Sequence, residues 1–167
     1  TKSFADTGVK YGSPMTIVES VIRANQLQKE LAAKKVMNRF PEGGTIALLG
    51  LSFKPETDDI RESPAIDIAR MLLSDGRYTV QMFDPRAMEN SREALGDPAN
   101  AVWCRSAQEA LVGADTVVIA TEWPEFSALD LDGLKSVLRC SVMFDLRNIY
   151  HKDEVEAAGI EYHGTGV

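Results

Sequence analysis

The chain has 167 residues, of which 44% are hydrophobic and 26% charged, and its formal net charge is -7. This composition is typical of a soluble globular protein with room for one domain and an appendage. The acidic balance argues against nucleic acid or an anionic membrane as the main partner, because both bind basic surfaces. We find no apolar run near the roughly 20 residues that a membrane span needs, and no signal peptide, so we expect a cytoplasmic protein without a membrane partner.

The first long element is a helix. Residues 1–12 predict a short segment that ends in a turn, and Ser13 and Pro14 then supply an N-cap and a proline at the first helical position. Apolar residues recur at helical spacing up to Arg39, which predicts a helix of about 26 residues, about 39 Å long. Its apolar face either packs into the protein's own core or forms an interdomain or dimer contact, and we expect the second, a homodimer through helix 14–39.

The segment 40–44, FPEGG, ends this helix and predicts a linker. We therefore divide the chain into residues 1–42, the N-terminal segment with the long helix, and residues 43–167, an α/β domain. In the second part, short apolar strand patterns alternate with helical patterns. The strand candidates are 45–49, 78–83, 102–104, 116–121, 142–145 and 160–162, and the helix candidates are 65–74, 86–95, 107–112, 131–138 and 152–157. This alternation predicts a doubly wound, mostly parallel Rossmann-like sheet.

A long charged loop follows the first predicted strand. About a dozen residues separate that strand from its helix, where about 2–6 are usual, and Ser63 with Pro64 gives the helix its start. Lys54 and Arg61 are the cations of this loop, among four acidic residues. The loop is either a solvated surface with internal ion pairs, or the place where the two cations capture an anion while the acids orient them.

Other strand ends bring further candidates to the same edge of the sheet. Arg147 follows the strand 142–145 and is expected beside Lys54, near the crevice where the strand order of a doubly wound sheet reverses. Two cations there suit a phosphate or diphosphate, whereas a single arginine after a strand is commonly an ion-pair partner. Trp123, after the fourth strand, either packs under the loop or stacks on a ligand base. Asp84 is expected to form a turn with Pro85 rather than to bind a ribose.

Several chemical patterns are absent from the sequence. The first loop lacks the G-x-G-x-x-G fingerprint, so we do not expect ordinary nicotinamide binding to this sheet. His151 and His163 stand apart from any triad or metal pattern and are expected on the surface. Cys104 and Cys140 lack metal-ligand spacing and are expected to be small buried thiols in a reducing cytosol. We therefore predict no metal site.

The segment 50–65, GLSFKPETDDIRESPA, closely resembles the UDP-glucose/GDP-mannose dehydrogenase family at the start of its C-terminal, nucleotide-sugar-binding domain. Supporting matches are 83–85 (FDP), 121–126 (TEWPEF) and 144–148 (FDLRN). The helix that carries Asn25 and Gln28 is similar to the family's central helix, which joins two domains and forms the dimer. The ending 145–148 favours the branch that oxidises UDP-glucose over the GDP-mannose branch, and the loop 57–59 differs from the branches that oxidise N-acetylated UDP-sugars.

The resemblance implies a role in a longer enzyme of polysaccharide biosynthesis. Such enzymes use NAD to oxidise the C6 alcohol of a nucleotide sugar to a carboxylate in two steps, through a cysteine thiohemiacetal and thioester. By this resemblance, the family's cysteine-containing segment would end immediately before Thr1, and its NAD-binding domain would likewise lie outside this sequence. We therefore expect an excised piece with no catalytic residue and no dehydrogenase activity of its own.

The resemblance also implies site residues. Phe53, Lys54 and Arg147 would contact the nucleotide-sugar substrate, UDP-glucose or a related compound, and Arg61 would reach NAD held by the other domain. Two alternatives stay open. The chain either belongs to a dehydrogenase for GDP-mannose or another nucleotide sugar, or it is a stand-alone nucleotide-binding and dimerisation module.

Overall fold

The computed structural model describes residues 15–166 and, before them, Thr7, Lys10 and Tyr11. The long helix α1 spans Thr16–Arg39 and has 24 residues. Its predicted start at Ser13 and Pro14 lies outside the described residues, as does most of the segment 1–12; of that segment, Tyr11 lies in a turn. The elements that follow are β1 (Gly44–Leu49), α2 (Pro64–Asp75), β2 (Tyr78–Phe83), α3 (Met88–Leu95), β3 (Ala101–Trp103), α4 (Ala107–Leu111), β4 (Thr116–Ile119), α5 (Pro124–Ser127), α6 (Leu131–Val137), β5 (Val142–Asp145), α7 (Lys152–Ala157) and β6 (Glu161–Gly164).

The six strands form one sheet in the order β3-β2-β1-β4-β5-β6, and every neighbouring pair is parallel. The prediction of a doubly wound parallel sheet is confirmed. The chain leaves β1 for β2 on one side and later returns to place β4 on the other side of β1. The strand order therefore reverses beside β1, and in such sheets a crevice opens there at the carboxyl ends of the strands.

Both faces of the sheet are buried. Successive residues of β1 alternate between the two cores, since Ile46 and Leu48 pack with α1 and α2, while Ala47 and Leu49 pack with the helices of the opposite face. All four residues of β4 are buried, as the continuous apolar run predicted. One short helix, α5, was not predicted, because a single helical turn is too short to show a period.

The long helix is packed along only part of its surface. Ala33 and Val36 are buried in the core, and Lys29 reaches Asp67 of α2 at 2.6 Å. At the end of α1, the guanidinium of Arg39 donates hydrogen bonds of 2.8–3.2 Å to the carboxylate of Glu161 in β6. The division of the chain after residue 42 stays a prediction, with α1 joined to the sheet by these contacts.

The isolated histidines and cysteines differ in their surroundings. His151 is exposed, as predicted, whereas the ring of His163 is partly buried and stacks on Phe144 with 4.7 Å between ring centroids. Cys104 is buried, and Cys140 is partly buried against the core. Within the described part of the chain, no helix combines the length and apolar character needed to cross a membrane. Among the same residues, no three His, Cys, Asp or Glu side chains form a group suited to a metal ion.

Candidate functional site

A cavity of about 550 Å³ opens at the carboxyl ends of the strands, beside α1. Its walls come from the segments that follow β1, β4, β5 and β6, from the start of α2 and from one side of α1. The residues that line it outside α1 are Phe53, Glu62, Pro64, Ile68, Ala120, Leu146, Arg147, Thr165 and Gly166. Its size lies in the range of about 300–1,000 Å³ that small-molecule sites occupy. Its position next to β1 is where doubly wound sheets bind ligands.

The ends of β1 and β4 lie so close together that they constrain the backbone where the first loop begins. Gly50 has φ +91°, a conformation that L side chains rarely adopt, and a Cβ atom there would lie 2.6 Å from Cβ of Thr121. The hydroxyl of Thr121 donates a hydrogen bond of 2.7 Å to the carbonyl oxygen of Ser52. The chain therefore turns sharply after β1, and the exposed ring of Phe53 comes to line the cavity.

Asp84 is buried at the end of β2 and uses both carboxylate oxygens. Oδ1 accepts hydrogen bonds from the backbone N–H groups of Arg86 and Ala87, which is the turn that the sequence predicted. Oδ2 accepts from the backbone N–H groups of Leu51 and Ser52. Burial alone raises the pKa of this carboxyl. The hydrogen bonds from the four backbone N–H groups together lower it by a larger amount, so the net pKa lies below its ordinary value. A carboxylate occupied in this way has no free oxygen for a ribose.

Arg147 lines the cavity and is held by an acid from the neighbouring strand end. Its Nε and Nη2 atoms donate hydrogen bonds of 2.5 and 2.9 Å to the carboxylate of Glu122. Burial raises the pKa of Glu122, but the hydrogen bonds from Arg147 contribute to a net pKa below the ordinary value. The buried carboxylate of Asp145 accepts a hydrogen bond from the backbone N–H of Arg147 at 3.1 Å. The guanidinium is thus fixed at the cavity wall with its charge already paired.

The other two predicted cations lie outside the cavity lining. Arg61 has a side chain that is 87% exposed and pairs with Asp59 at 2.7 Å. The hydrogen bond from Arg61 is the main cause that lowers the pKa of Asp59 to about 2, and the charge of Lys54 adds a smaller effect. Another acid of this loop, Glu56, pairs with Arg86 at 3.2 Å. One ion pair, Asp59–Arg61, is thus internal to the loop, whereas Glu56 pairs with a residue outside it, and the capture of an anion by Lys54 and Arg61 stays a prediction.

The structure brings Phe53 and Arg147 to one cavity, and it leaves Lys54 and Arg61 out of that lining. The convergence of Lys54 with Arg147 on one anion stays a prediction. Trp123 is 4% exposed, so it packs beneath the loop rather than presenting its ring to a ligand. Three features were not identified from sequence: the pairing of Glu122 with Arg147, the contacts of Asp84 with the first loop, and the polar side of α1. The residues of α1 that line the cavity are Ile22, Asn25, Gln26, Gln28, Lys29, Leu31, Ala32 and Lys35.

The strand order and the cavity beside β1 define a doubly wound α/β domain of the nucleotide-binding type. Residues 47–152 match the family model described as UDP-glucose/GDP-mannose dehydrogenase family, UDP binding domain. This chain belongs to the UDP-glucose/GDP-mannose dehydrogenase family. The resemblance that the motif 50–65 indicated is confirmed.

Individual relatives agree with this assignment. The chain is 40% identical over 169 residues to UDP-glucose 6-dehydrogenase of Rhizobium meliloti (strain 1021), covering 99% of this chain and 38% of that protein. It is 40% identical over 153 residues to UDP-glucose 6-dehydrogenase of Rickettsia bellii (strain RML369-C), covering 90% of this chain and 35% of that protein. A solved UDP-glucose dehydrogenase from the archaeon Pyrobaculum islandicum superposes with a TM-score of 0.76 at 34% identity, over 96% of this chain and 34% of that one. The chain thus spans a little over a third of the length of these relatives.

Proposed function

We propose that this chain is the C-terminal substrate-binding portion of a UDP-glucose 6-dehydrogenase, and that it holds the uridine diphosphate half of UDP-glucose. The observation that supports this most is the cavity beside β1, lined among others by Phe53 and Arg147, which both lie within the residues 47–152 that match the family's UDP binding domain. An arginine side chain matches the oxygen geometry of a diphosphate through two parallel hydrogen bonds. The half-exposed ring of Phe53 offers an apolar surface next to it.

Further positive charge supports binding of an anion at this wall. Lys29 and Lys35 belong to the cavity lining, together with one acidic residue, Glu62. Lys29 is already paired with Asp67, and Lys35 donates a hydrogen bond of 3.1 Å to the carbonyl oxygen of Gly164. We propose that Lys54, on the exposed side of the first loop, adds its charge when the ligand binds.

The oxidation itself is proposed to take place with NAD on a second domain. The residues of this sheet do not fit a dinucleotide: the loop after β1 has no Gly-rich fingerprint, and the carboxylate of Asp84 is occupied by backbone groups. Burial raises the pKa of the Cys104 thiol to about 11, which suits a structural side chain and not a nucleophile. This portion therefore contributes binding energy that positions the sugar for reaction elsewhere.

Arg61 is the proposed contact of this portion with NAD on the other domain. Its side chain is 87% exposed and projects from the first loop, paired only with Asp59 of the same loop among the salt bridges of the described residues. Such a surface pair contributes little to stability, so the guanidinium can exchange its partner for a ligand at small cost. We also propose a cytoplasmic location, which suits two cysteines that remain free thiols.

We propose a homodimer through helix 14–39. Ile17, Val21, Leu27 and Leu31 are exposed large apolar residues of α1, with between 46% and 82% of their surface accessible. At about 100° per residue they fall within an arc of about 120° on the helix, which they share with Ser20 and Gln28, and an exposed apolar stripe of this kind favours an interaction surface. A second copy of the same helix is a self-complementary partner for it.

Titration of the chain with UDP tests the proposed function. We expect an NMR titration to show weak binding of UDP, because part of the cleft is proposed to come from another domain. Arg147→Ala should lower the affinity for UDP about tenfold. Phe53→Ala and Lys54→Ala should also weaken binding. The matched control is Arg105→Ala, which removes another arginine paired with a carboxylate, Glu109, outside the cavity. The assignment of the cations is wrong if Lys54→Ala and Arg147→Ala both bind UDP like the unchanged chain, and tighter binding of GDP than of UDP would favour a GDP-sugar enzyme.

A further inference from the structure

The two residues before Phe53 have all their hydrogen-bonding groups engaged by other parts of the chain. Oδ2 of Asp84 accepts hydrogen bonds from Leu51 N at 2.8 Å, Ser52 N at 3.0 Å and Ser52 Oγ at 2.9 Å. The carbonyl oxygen of Leu51 accepts from the hydroxyl of Ser63 at 2.7 Å, and that of Ser52 accepts from Thr121. Both residues are almost completely buried. Leu51 and Ser52 therefore have no freedom to move separately from the strand ends around them.

The same carboxylate reaches a third strand end. The indole N–H of Trp123 lies 3.1 Å from Ser52 Oγ and 3.2 Å from Asp84 Oδ2. Asp84 follows β2, Ser52 follows β1 and Trp123 follows β4, and these three strands are neighbours in the sheet. One buried carboxylate thus joins the three segments that leave the sheet where its strand order reverses.

The boundary between the fixed and the exposed part of the loop lies immediately after Ser52. Ser52 is 1% exposed, whereas Phe53 is 51% exposed and lines the cavity. The backbone N–H of Phe53 donates a hydrogen bond of 2.8 Å to the carbonyl oxygen of Asp59, so the loop closes on itself directly beyond this point. The direction in which the Phe53 ring leaves the backbone is consequently set by the residues that Asp84 holds.

We propose that Asp84 is a positioning residue of the nucleotide-sugar site, which fixes Leu51 and Ser52 and thereby directs Phe53 into the cavity. This inference rests on the proposed function, because it takes the cavity beside Phe53 to be the site that binds UDP. A site is effective only when the groups behind the binding residues hold them in one arrangement. Asp84 does not line the cavity, so it acts through Leu51, Ser52 and Phe53.

Both oxygens of Asp84 face donors, and this property separates a carboxylate from an amide of equal size. Oδ2 faces four donor groups and Oδ1 faces two backbone N–H groups. An asparagine at this position would direct its NH₂ group toward one of the two sets of donors. Asp84→Asn therefore keeps the volume of the side chain and breaks one side of its contacts, whichever way the amide turns.

The experiment compares Asp84→Asn with Asp115→Asn by amide hydrogen exchange and by UDP titration. Asp115 is a matched control, since its carboxylate accepts a backbone hydrogen bond of 2.7 Å from Thr45, at the opposite end of β1 from the cavity. In Asp84→Asn we expect faster exchange of the Leu51 and Ser52 amides, with about a tenfold loss of UDP affinity, if the NH₂ group turns toward the donors that Oδ2 faces. If the NH₂ group turns the other way, we expect faster exchange of the Arg86 and Ala87 amides with unaltered affinity. Asp115→Asn should change none of these. The indole N–H resonance of Trp123 should shift in Asp84→Asn, while that of Trp103, bound to Asp97, stays in place.

The outcomes are distinct. The positioning role is overturned by unchanged exchange at Leu51, Ser52, Arg86 and Ala87 together. It is also overturned by faster exchange at Leu51 and Ser52 with unchanged UDP affinity, or by a loss of affinity with faster exchange at Arg86 and Ala87 alone. Absence of UDP binding by the unchanged chain overturns the proposed function itself, and this result does not depend on any variant. If Asp84→Asn fails to fold, Ser52→Ala removes only the hydroxyl between Asp84 and Trp123. A loss of UDP affinity of about threefold in that variant supports the inference, and unchanged affinity contradicts it.

Discussion

The guanidinium of Arg147 is bound by the carboxylate of Glu122 through two hydrogen bonds, of 2.5 and 2.9 Å, at the wall of the cavity. Glu122 follows β4 and Arg147 follows β5, so the pair spans two neighbouring strand ends. The carboxylate engages one N–H group on Nε and one on Nη2, out of the five N–H donors of the guanidinium. Arg147 is therefore oriented in advance, and a diphosphate would use the remaining donors or replace Glu122 as the acceptor.

Glu122→Gln should strengthen UDP binding. The substitution removes a negative charge that competes for Arg147 and repels the diphosphate, while the amide oxygen still accepts one hydrogen bond. We expect affinity to rise about fivefold, which corresponds to about 1 kcal/mol for a partly exposed charge pair. NMR titration with UDP measures the change. Glu109→Gln, which breaks the pair of Glu109 with Arg105 away from the cavity, should leave affinity unaltered. A fall in affinity in Glu122→Gln would mean that Glu122 orients Arg147 more than it competes.

The contact between α1 and β6 should give a pH-dependent contribution to stability. The hydrogen bonds from Arg39 are the main cause that lowers the pKa of Glu161 from 4.5 to about 2, with His163 adding to the effect. A carboxyl with a lowered pKa stabilises the fold above its unfolded value, and this stabilisation disappears as pH falls through the folded value. Glu161→Gln should therefore lower the free energy of unfolding at pH 7 by about 0.5 kcal/mol, after allowance for solvent screening of a partly exposed pair.

Urea unfolding as a function of pH measures this contribution. The difference between the unchanged chain and Glu161→Gln should be constant above about pH 5 and should vanish between the ordinary pKa of 4.5 and the lowered pKa of about 2. The control is Glu154→Gln, an exposed residue in α7. A stability difference that persists unchanged down to pH 2 would contradict the role of the ionised Glu161 carboxylate.

Gly50→Ala should destabilise the fold strongly. The added Cβ would lie 2.6–2.8 Å from the Cβ, backbone nitrogen and hydroxyl oxygen of Thr121, at a backbone φ of +91°. Overpacking together with this strain should cost about 2–4 kcal/mol. Gly76→Ala is the control, because Gly76 has φ +79° with nothing within 4 Å, and strain alone should cost about 1 kcal/mol there. Thermal unfolding of both variants compares the two costs, and equal costs would remove the contact with Thr121 from the explanation.

Leu27→Lys should convert the proposed dimer into a monomer. Leu27 is 48% exposed on the apolar stripe of α1 and does not line the cavity, so the substitution leaves the site intact. A charge at the centre of an apolar helix contact is costly to desolvate. Light scattering should change from a two-chain to a one-chain mass. Val112→Lys, at a residue that is 64% exposed outside α1, should keep the two-chain mass. A monomeric unchanged chain would contradict the dimer.

Much of the fold was available from sequence because it depends on local patterns. The buried strand 116–119 is apolar apart from Thr116, and Pro64 marks the start of α2. Ser63 occupies the predicted N-cap position, but its hydroxyl makes no capping hydrogen bond and donates to the carbonyl oxygen of Leu51 instead. The alternation of these strands and helices along the chain then predicted a doubly wound parallel sheet. The sequence alone also identified the family, because the motif 50–65 is long and specific, and the family model matches residues 47–152.

The tertiary structure decided which of the charged and polar groups meet. Asp84 is 32 residues from Ser52 along the chain, Trp123 is 71 residues from it, and Arg147 is 25 residues from Glu122. No periodic pattern links such positions, because periodicity reports only which face of an element is buried. Their contact follows from the order in which the strands lie side by side. The sequence therefore determined the helices and strands and the edge of the sheet at which the candidate residues lie. Only the folded chain paired Arg147 with Glu122 and brought Asp84 into hydrogen bonds with the first residues of the loop after β1.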